Sequence, residues 1–126
     1  MGVSFKTLKG KTLSKIENND NEELIFTTAE GKRYLQHHVQ DCCENVTIED
    51  ICGDLNDLIG SEILLAEEAT SSDTNPAGVP VPKYQDSFTW TFYKLATIKG
   101  SVTIRWYGSS NGYYSERVYF NQIAEG

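Results

Sequence analysis

The strongest constraint on the fold is an alternation of apolar and polar residues in the last third of the sequence. Apolar residues occupy every second position at Phe88, Trp90 and Phe92 in the stretch 87–97, and at Val102, Ile104 and Trp106 in the stretch 101–107. Side chains of a β-strand point alternately to its two faces, so each stretch predicts a strand with one buried face. Lys99-Gly100 predicts a tight turn between them, and 113–121 predicts a third strand. The sequence therefore predicts an antiparallel meander.

A second meander is predicted at the start of the chain. Residues 13–18, 23–28 and 33–39 are rich in apolar residues that favour strands, and polar, turn-forming residues separate them at 18–21 and 29–32. A further strand is predicted over 62–70. Together these segments predict about six or seven antiparallel strands.

One segment favours a helix instead. Ile48, Ile51, Leu55 and Leu58 are spaced three or four residues apart, and Gly60 is a typical residue just after a helix C-terminus. Gly53 inside this helix would cost about 1 kcal/mol relative to alanine. The predicted fold class is therefore α+β, mainly β, with antiparallel meanders and one short helix near 48–59.

Length and composition predict one soluble domain. A chain of 126 residues that is 39% hydrophobic fits a single domain, 1–126, with one core. Residues 71–86 contain all three prolines and are expected to form a long surface loop. No apolar run approaches the roughly 20 residues that span a bilayer, and no signal peptide is recognisable. We therefore expect a cytoplasmic protein.

Negative charge is concentrated in the middle of the chain. The net charge is −7, and residues 34–82 contain ten acids and no Lys or Arg. Such a segment repels DNA and attracts a basic surface, on a protein or a ribonucleoprotein; alternatively, it only keeps the protein soluble. The predicted contact residues are Asp41, Glu44, Glu49, Asp50, Asp54 and Asp57.

A second candidate site is the loop over 109–115. Its Tyr, Ser, Asn and Gly residues are typical of binding loops, although a plain hairpin connection explains them as well. The loop could alternatively bind a nucleotide, whose base would stack on aromatic side chains and whose phosphate would bind a basic side chain. The residues predicted for this alternative are Trp90, Arg105, Trp106, Asn111, Tyr113 and Tyr114.

Histidine and cysteine occur as adjacent pairs, His37-His38 and Cys42-Cys43. Zinc sites space their ligands so that the backbone can fold around the ion, and adjacent pairs do not. We therefore predict no metal and no cofactor. A cysteine-dependent enzyme using Cys42 or Cys43 is a further alternative, but the surrounding acids would disfavour a reactive thiolate. The odd number of cysteines, with Cys52 the third, predicts reduced thiols.

Four short motifs carry a family resemblance: QDCCE at 40–44, IEDICGDL at 48–55, WTFYKLATIKG at 90–100 and SNGYYS at 110–115. With them, roughly residues 8–121 resemble a family of small phage and prophage proteins grouped as a domain of unknown function. The resemblance implies no activity, but it implies a phage setting, in which small acidic proteins often inhibit bacterial defence.

On this basis we expect a non-enzymatic, phage-encoded inhibitor of a bacterial defence factor, CRISPR or another, acting in the cytoplasm of the bacterial host. Sequestration of a nucleotide messenger is the alternative that uses the 109–115 loop. Exposed strand edges also leave self-association open.

Overall fold

The computed structural model describes residues 3–40, 44–72, 87–110 and 116–123, and these form two four-stranded antiparallel sheets. The strands are β1 (Leu13–Asn19), β2 (Glu23–Thr28), β3 (Arg33–His37), β4 (Asn45–Cys52), β5 (Leu65–Ser72), β6 (Ser87–Thr97), β7 (Gly100–Ser110) and β8 (Tyr119–Ile123). The strand order is β1-β2-β3-β8 in the first sheet and β4-β7-β6-β5 in the second. The predicted mainly-β, antiparallel architecture is confirmed.

The chain changes sheets twice. It builds β1 to β3 by successive hairpins, crosses to the second sheet for β4 to β7, and returns to place β8 beside β3. Within the second sheet, β4 lies beside β7 and completes a Greek key with the β5-β6-β7 meander. Both sheets therefore depend on pairing between strands that are distant in sequence.

The predicted helix near 48–59 is wrong. Residues up to Cys52 belong to β4, and only Leu55–Leu58 are helical, as a single 3-10 turn. No α-helix occurs in the described ranges. The error comes from a β-bulge between Ile48 and Asp50, where the register with β7 shifts. Because a bulge adds one residue, the core-facing side chains of Ile48, which is buried, and Ile51, which is partly buried, are three positions apart and imitate helical spacing.

The other boundaries agree with the predictions to within a few residues. β1 to β3 and β6 begin where the alternation begins, while β7 extends to Ser110. The predicted loop over 71–86 starts later, because Ser71 and Ser72 still pair with β6; the rest of it, 73–86, lies outside the described residues. In the predicted strand over 113–121, the structure describes residues from 116 onward, and β8 begins at Tyr119.

An aromatic cluster lies at the centre of the core between the two sheets. Phe5, from a 3-10 turn at Phe5–Leu8, contacts Tyr93 of the second sheet and Phe120 of the first, with ring centroids 4.6 Å and 5.1 Å away. Tyr34 stacks on Phe120 at 5.5 Å. Such ring pairs add specific geometry to the burial of a large apolar area. The N-terminal turn therefore connects the two sheets through its phenyl ring.

A buried polar contact also joins the sheets. The indole Nε1 of Trp106 donates a hydrogen bond to Oε1 of Gln36 at 2.6 Å, and both residues are fully buried. A buried polar group needs a partner to offset the loss of its hydration, so this bond fixes one sheet relative to the other. No helix in the described ranges is long and apolar enough to cross a membrane.

Candidate functional site

The structure separates the predicted acidic contact residues from one another. Glu44 is 4% exposed and lies inside the protein, so it cannot contribute to a contact surface. Asp54 is exposed and accepts a hydrogen bond from the backbone N–H of Asn56, which starts the second 3-10 turn. Asp57 is half-buried beside Gly100, and Asp41 lies outside the described residues. The single acidic helix face expected from the sequence does not form.

Glu44 is the partner of a buried histidine. Its Oε2 lies 2.8 Å from Nε2 of His38, and the two side chains are 0% and 2% exposed. The carbonyl oxygen of Arg117 lies 2.6 Å from Nδ1 of His38. A carbonyl can only accept, so Nδ1 donates this bond, and the contact of Nε2 with the carboxyl group of Glu44 is a second hydrogen bond. This pair connects the end of β3, the start of β4 and the segment before β8.

Glu49 and Asp50 both face Arg105 because of the bulge. The guanidinium group donates to both carboxylate oxygens of Glu49 at 2.7–3.0 Å and lies 3.5 Å from Asp50. It also lies 5.7 Å from the ring centre of Trp90. Two-pronged contacts of this kind are the strongest form of arginine–carboxylate pairing. Arg105, predicted to meet a phosphate, is therefore already engaged by carboxylates.

A different acidic surface does form, between β4 and the β1–β2 turn. The backbone N–H of Ile48 donates to the carbonyl oxygen of Asn21 at 2.7 Å. This bond holds the β1–β2 turn, which carries three acids, against the strand that carries the bulge. We call this surface the acidic end; its residues are Asp20, Glu22, Glu23, Glu49 and Asp50. The acids of the turn were not predicted as contact residues because they lie outside the acid-rich segment 34–82, and only the fold brings the turn to β4.

The two tryptophans predicted to stack on a nucleotide lie on opposite faces of the second sheet. Trp106 faces the core and Trp90 the other side, and they are 0% and 1% exposed. Neither indole can present a free face to a ligand in this arrangement. Asn111, Tyr113 and Tyr114, the other residues of this alternative, lie outside the described residues.

The described histidines and cysteine do not form a metal site. No group of three or more His, Cys, Asp or Glu side chains in the described ranges could hold a metal ion. His37 accepts a hydrogen bond at Nε2 from the Nδ2 of Asn121 at 2.9 Å. Burial lowers the pKa of His37, Glu23 opposes that shift, and His38 adds to it. Both histidines are therefore already held by hydrogen bonds of the fold. Cys42 and Cys43 lie outside the described residues.

Cys52 is a free, exposed thiol whose chemistry is suppressed. Its Sγ donates to Oδ2 of Asp50 at 3.4 Å, and this hydrogen bond is the main cause that raises the pKa of Cys52. Burial and the negative charge of Asp50 add to the shift, whereas Arg105 opposes it. Since the thiolate is the reactive form, Cys52 is a poor nucleophile.

We therefore expect Asp50→Asn to speed the alkylation of Cys52 by iodoacetamide at pH 8 several-fold. The background for this measurement is Cys42→Ser/Cys43→Ser, so that only one thiol reacts. Asp54→Asn is the control, because that carboxylate caps a turn and makes no bond to the thiol. An alkylation rate that Asp50→Asn leaves unchanged would show that the carboxylate does not restrain the thiol.

Two grooves lie where β5 and the segment around β8 face each other. Two adjoining cavities of about 460 Å³ and 380 Å³ share Glu68, Arg117 and Val118 as lining residues. The first extends to Phe5 and Tyr119, and the second extends over threonines of β5 and β6. Volumes of this size are typical of binding clefts. We call this groove the inter-sheet cleft.

Comparison with known proteins gives a family but no activity. No curated protein and no solved structure matches the chain significantly. The family described as a domain of unknown function, DUF7448, matches residues 6–120, which run from the first 3-10 turn into β8. This match covers β1 to β7 and the start of β8, and the chain therefore belongs to the DUF7448 family.

Proposed function

We propose that the protein is a non-enzymatic binding protein that uses its acidic end to contact a basic surface of a partner. The observation that supports this proposal most directly is the bond between Ile48 and Asn21, which joins two separate acidic segments into one surface. The acidic end carries five carboxylates, and Arg105 contacts two of them, Glu49 and Asp50. Such a concentration of one charge accelerates association with an oppositely charged surface and restricts partner choice.

The chemistry of the described titratable groups supports binding over catalysis. His38 and Glu44 are buried and bonded to each other. Glu116 is held by the hydroxyl groups of Thr89 and Ser110, which donate to its two oxygens at 2.8 Å and 2.6 Å. A catalytic base needs access to its substrate, and these groups are occupied by bonds within the fold.

The concrete version of the proposal is a phage-encoded inhibitor of a bacterial defence factor, acting in the host cytoplasm. CRISPR ribonucleoproteins hold nucleic acid in positively charged channels, and the acidic end has the complementary charge. We give this version precedence over nucleotide sequestration because Trp90 and Trp106 are buried. It takes precedence over a cysteine-dependent enzyme because the acids that flank Cys42 and Cys43 in the sequence, Asp41 and Glu44, disfavour a reactive thiolate.

A charge-neutralised variant tests the proposal. Asp20→Asn/Glu22→Gln/Asp50→Asn removes three charges from the acidic end while keeping side-chain size. In bacteria that carry defined defence systems, including CRISPR, expression of the wild-type protein is expected to restore phage plaquing. The triple variant is expected to lose that effect. The triple variant should bind the inhibited defence complex about tenfold more weakly than the wild type, or weaker still. Raising the salt concentration should also weaken binding of the wild type to that complex.

The matched control removes three charges elsewhere. Glu30→Gln/Glu62→Gln/Glu67→Gln has the same net charge as the test variant, and all three residues are exposed and outside the acidic end. It should inhibit as the wild type does. Equal loss of inhibition in the test and control variants would mean that only the net charge of the protein matters. Full inhibition by Asp20→Asn/Glu22→Gln/Asp50→Asn would contradict the proposed surface.

A further inference from the structure

The interior positions at one end of the sandwich are polar where a sandwich core is normally apolar. Along β6, the core face changes from Leu95 to Thr91 and Thr89, and in β5 it changes from Ala66 to Glu68 and Thr70. Side chains on the inner face of a sheet normally fill the core. Thr89 donates to Glu116, whereas Glu68 and Thr70 are exposed and border the inter-sheet cleft. This end of the sandwich therefore presents polar side chains to the cleft.

A buried tyrosine hydroxyl group lies beneath the cleft, beside a carboxylate. Tyr93 is fully buried, and its Oη makes no well-formed hydrogen bond to the described chain. Its cross-strand neighbour is Glu68, which together with Arg117 lines both cavities. Burial is the main cause that raises the pKa of Tyr93 far above its usual value; hydrogen bonding and charge interaction with Glu68 follow, and Arg117 opposes the shift. Tyr93 therefore keeps its proton beside the Glu68 carboxylate.

The outer edge of β5 provides main-chain hydrogen-bonding groups along the same cleft. β5 is an edge strand. Thr97 and Gly100 flank a two-residue turn and therefore hydrogen-bond to each other. Counting back from Thr97, every second residue of β6 bonds to β7, and the residues between them bond to β5. In the register of β5 with β6, the N–H and C=O groups of Ala66, Glu68 and Thr70 then point away from β6. No hydrogen bond from another described segment reaches them.

Glu68 determines the charge of a suitable ligand. Its side chain is exposed, and no Lys, Arg or His of the described chain lies within 4.0 Å of its carboxylate. Arg117 is instead placed 5.4 Å from the ring centre of Tyr119. Because Lys6 and Arg117 also line the cleft, a ligand with many positive charges would be repelled, whereas one cation opposite Glu68 would be favoured.

From these observations we propose that the inter-sheet cleft binds an extended peptide segment of a partner protein, which pairs with the free edge of β5 and places one basic side chain against Glu68. Addition of a strand to a sheet edge obtains affinity from main-chain hydrogen bonds and specificity from alternate side chains. The site is separate from the acidic end and does not depend on the function proposed for it.

A library of random nine-residue peptides, displayed on phage and selected against the intact protein, tests the proposal. The enriched peptides are expected to share a single Lys or Arg within an otherwise uncharged, strand-forming sequence. A synthetic peptide of the enriched sequence should bind Glu68→Gln about tenfold more weakly than the wild type. The matched control is Glu67→Gln, because Glu67 is the adjacent acid and points to the opposite face of the sheet.

Amide hydrogen exchange then identifies the mode of binding. Bound peptide should slow exchange at Ala66, Glu68 and Thr70, whose N–H groups form the free edge, in the wild type and in Glu67→Gln. Failure to enrich any peptide, binding that Glu68→Gln leaves unchanged, or unaltered exchange at these amides would each overturn the proposal. The variant Asp20→Asn/Glu22→Gln/Asp50→Asn should retain peptide binding, which separates a failure here from a failure of the acidic end.

Discussion

Glu44→Ala is expected to lower the free energy of unfolding by about 3–5 kcal/mol, the usual cost of removing one partner of a buried ion pair. The substitution removes the carboxyl group that contacts Nε2 of His38, while the imidazole stays buried. It also empties the space of a side chain that is 0% exposed, which adds the cost of a cavity. Urea unfolding at pH 7, followed by the fluorescence of the buried tryptophans, measures the change.

Glu44→Gln is the informative control. An amide nitrogen can donate to Nε2 of a neutral imidazole while Nδ1 keeps its bond to the carbonyl of Arg117. This variant fills the same space and keeps a hydrogen bond, so we expect it to lose less than half as much stability as Glu44→Ala. Equal losses in the two variants would show that the charge of Glu44, and not its packing or its bond, stabilises the fold.

Gly53→Ala is the second substitution with a large expected effect. Gly53 follows β4 with φ of +110°, and an added Cβ would lie 2.6 Å from the backbone oxygen of Ser101 and 3.2 Å from Cα of Val102. A side chain in this conformation costs about 1–2 kcal/mol, and overpacking against main chain adds about 1–3 kcal/mol. We therefore expect a loss of about 3 kcal/mol, measured by urea unfolding.

Gly31→Ala separates these two causes. Gly31 has φ of +93°, but nothing lies within 4 Å of an added Cβ. It should therefore show the conformational cost alone, about 1–2 kcal/mol. If Gly53→Ala were no more destabilising than Gly31→Ala, the close approach of β7 to this turn would have no energetic weight.

The strands were predictable because their signal is local. The alternation of Phe88, Trp90 and Phe92 identifies a strand wherever its partner comes from, although the core face of β6 is the opposite one, with Tyr93 and Leu95. The bulge in β4 was not predictable, because it changes that local signal. One extra residue gives Ile48 and Ile51 the spacing of a helix. Only pairing with β7, more than fifty residues later, shows that the segment is a strand.

The candidate sites were less predictable because they depend on contacts between distant residues. The acidic residues of 34–82 could be recognised as a group in the sequence, but the residues that they contact in the fold could not. Arg105 lies 56 positions after Glu49, and the carbonyl group that fixes His38 belongs to residue 117. Likewise, Glu68 is one of several acids in the sequence, and only the fold places it in a cleft beside the buried hydroxyl group of Tyr93.

The position of β8 has a consequence for the order of folding during synthesis. The ribosome releases β1, β2 and β3 first, yet the fourth strand of their sheet is translated after every other described strand. Until then, the edge of β3 from Arg33 to His37 lacks its pairing partner, and exposed strand edges favour aggregation. The second sheet, with β4 to β7, can pair before β8 is translated. Completion of the first sheet is therefore a late step on the ribosome, and a chain interrupted before Tyr119 retains an open strand edge.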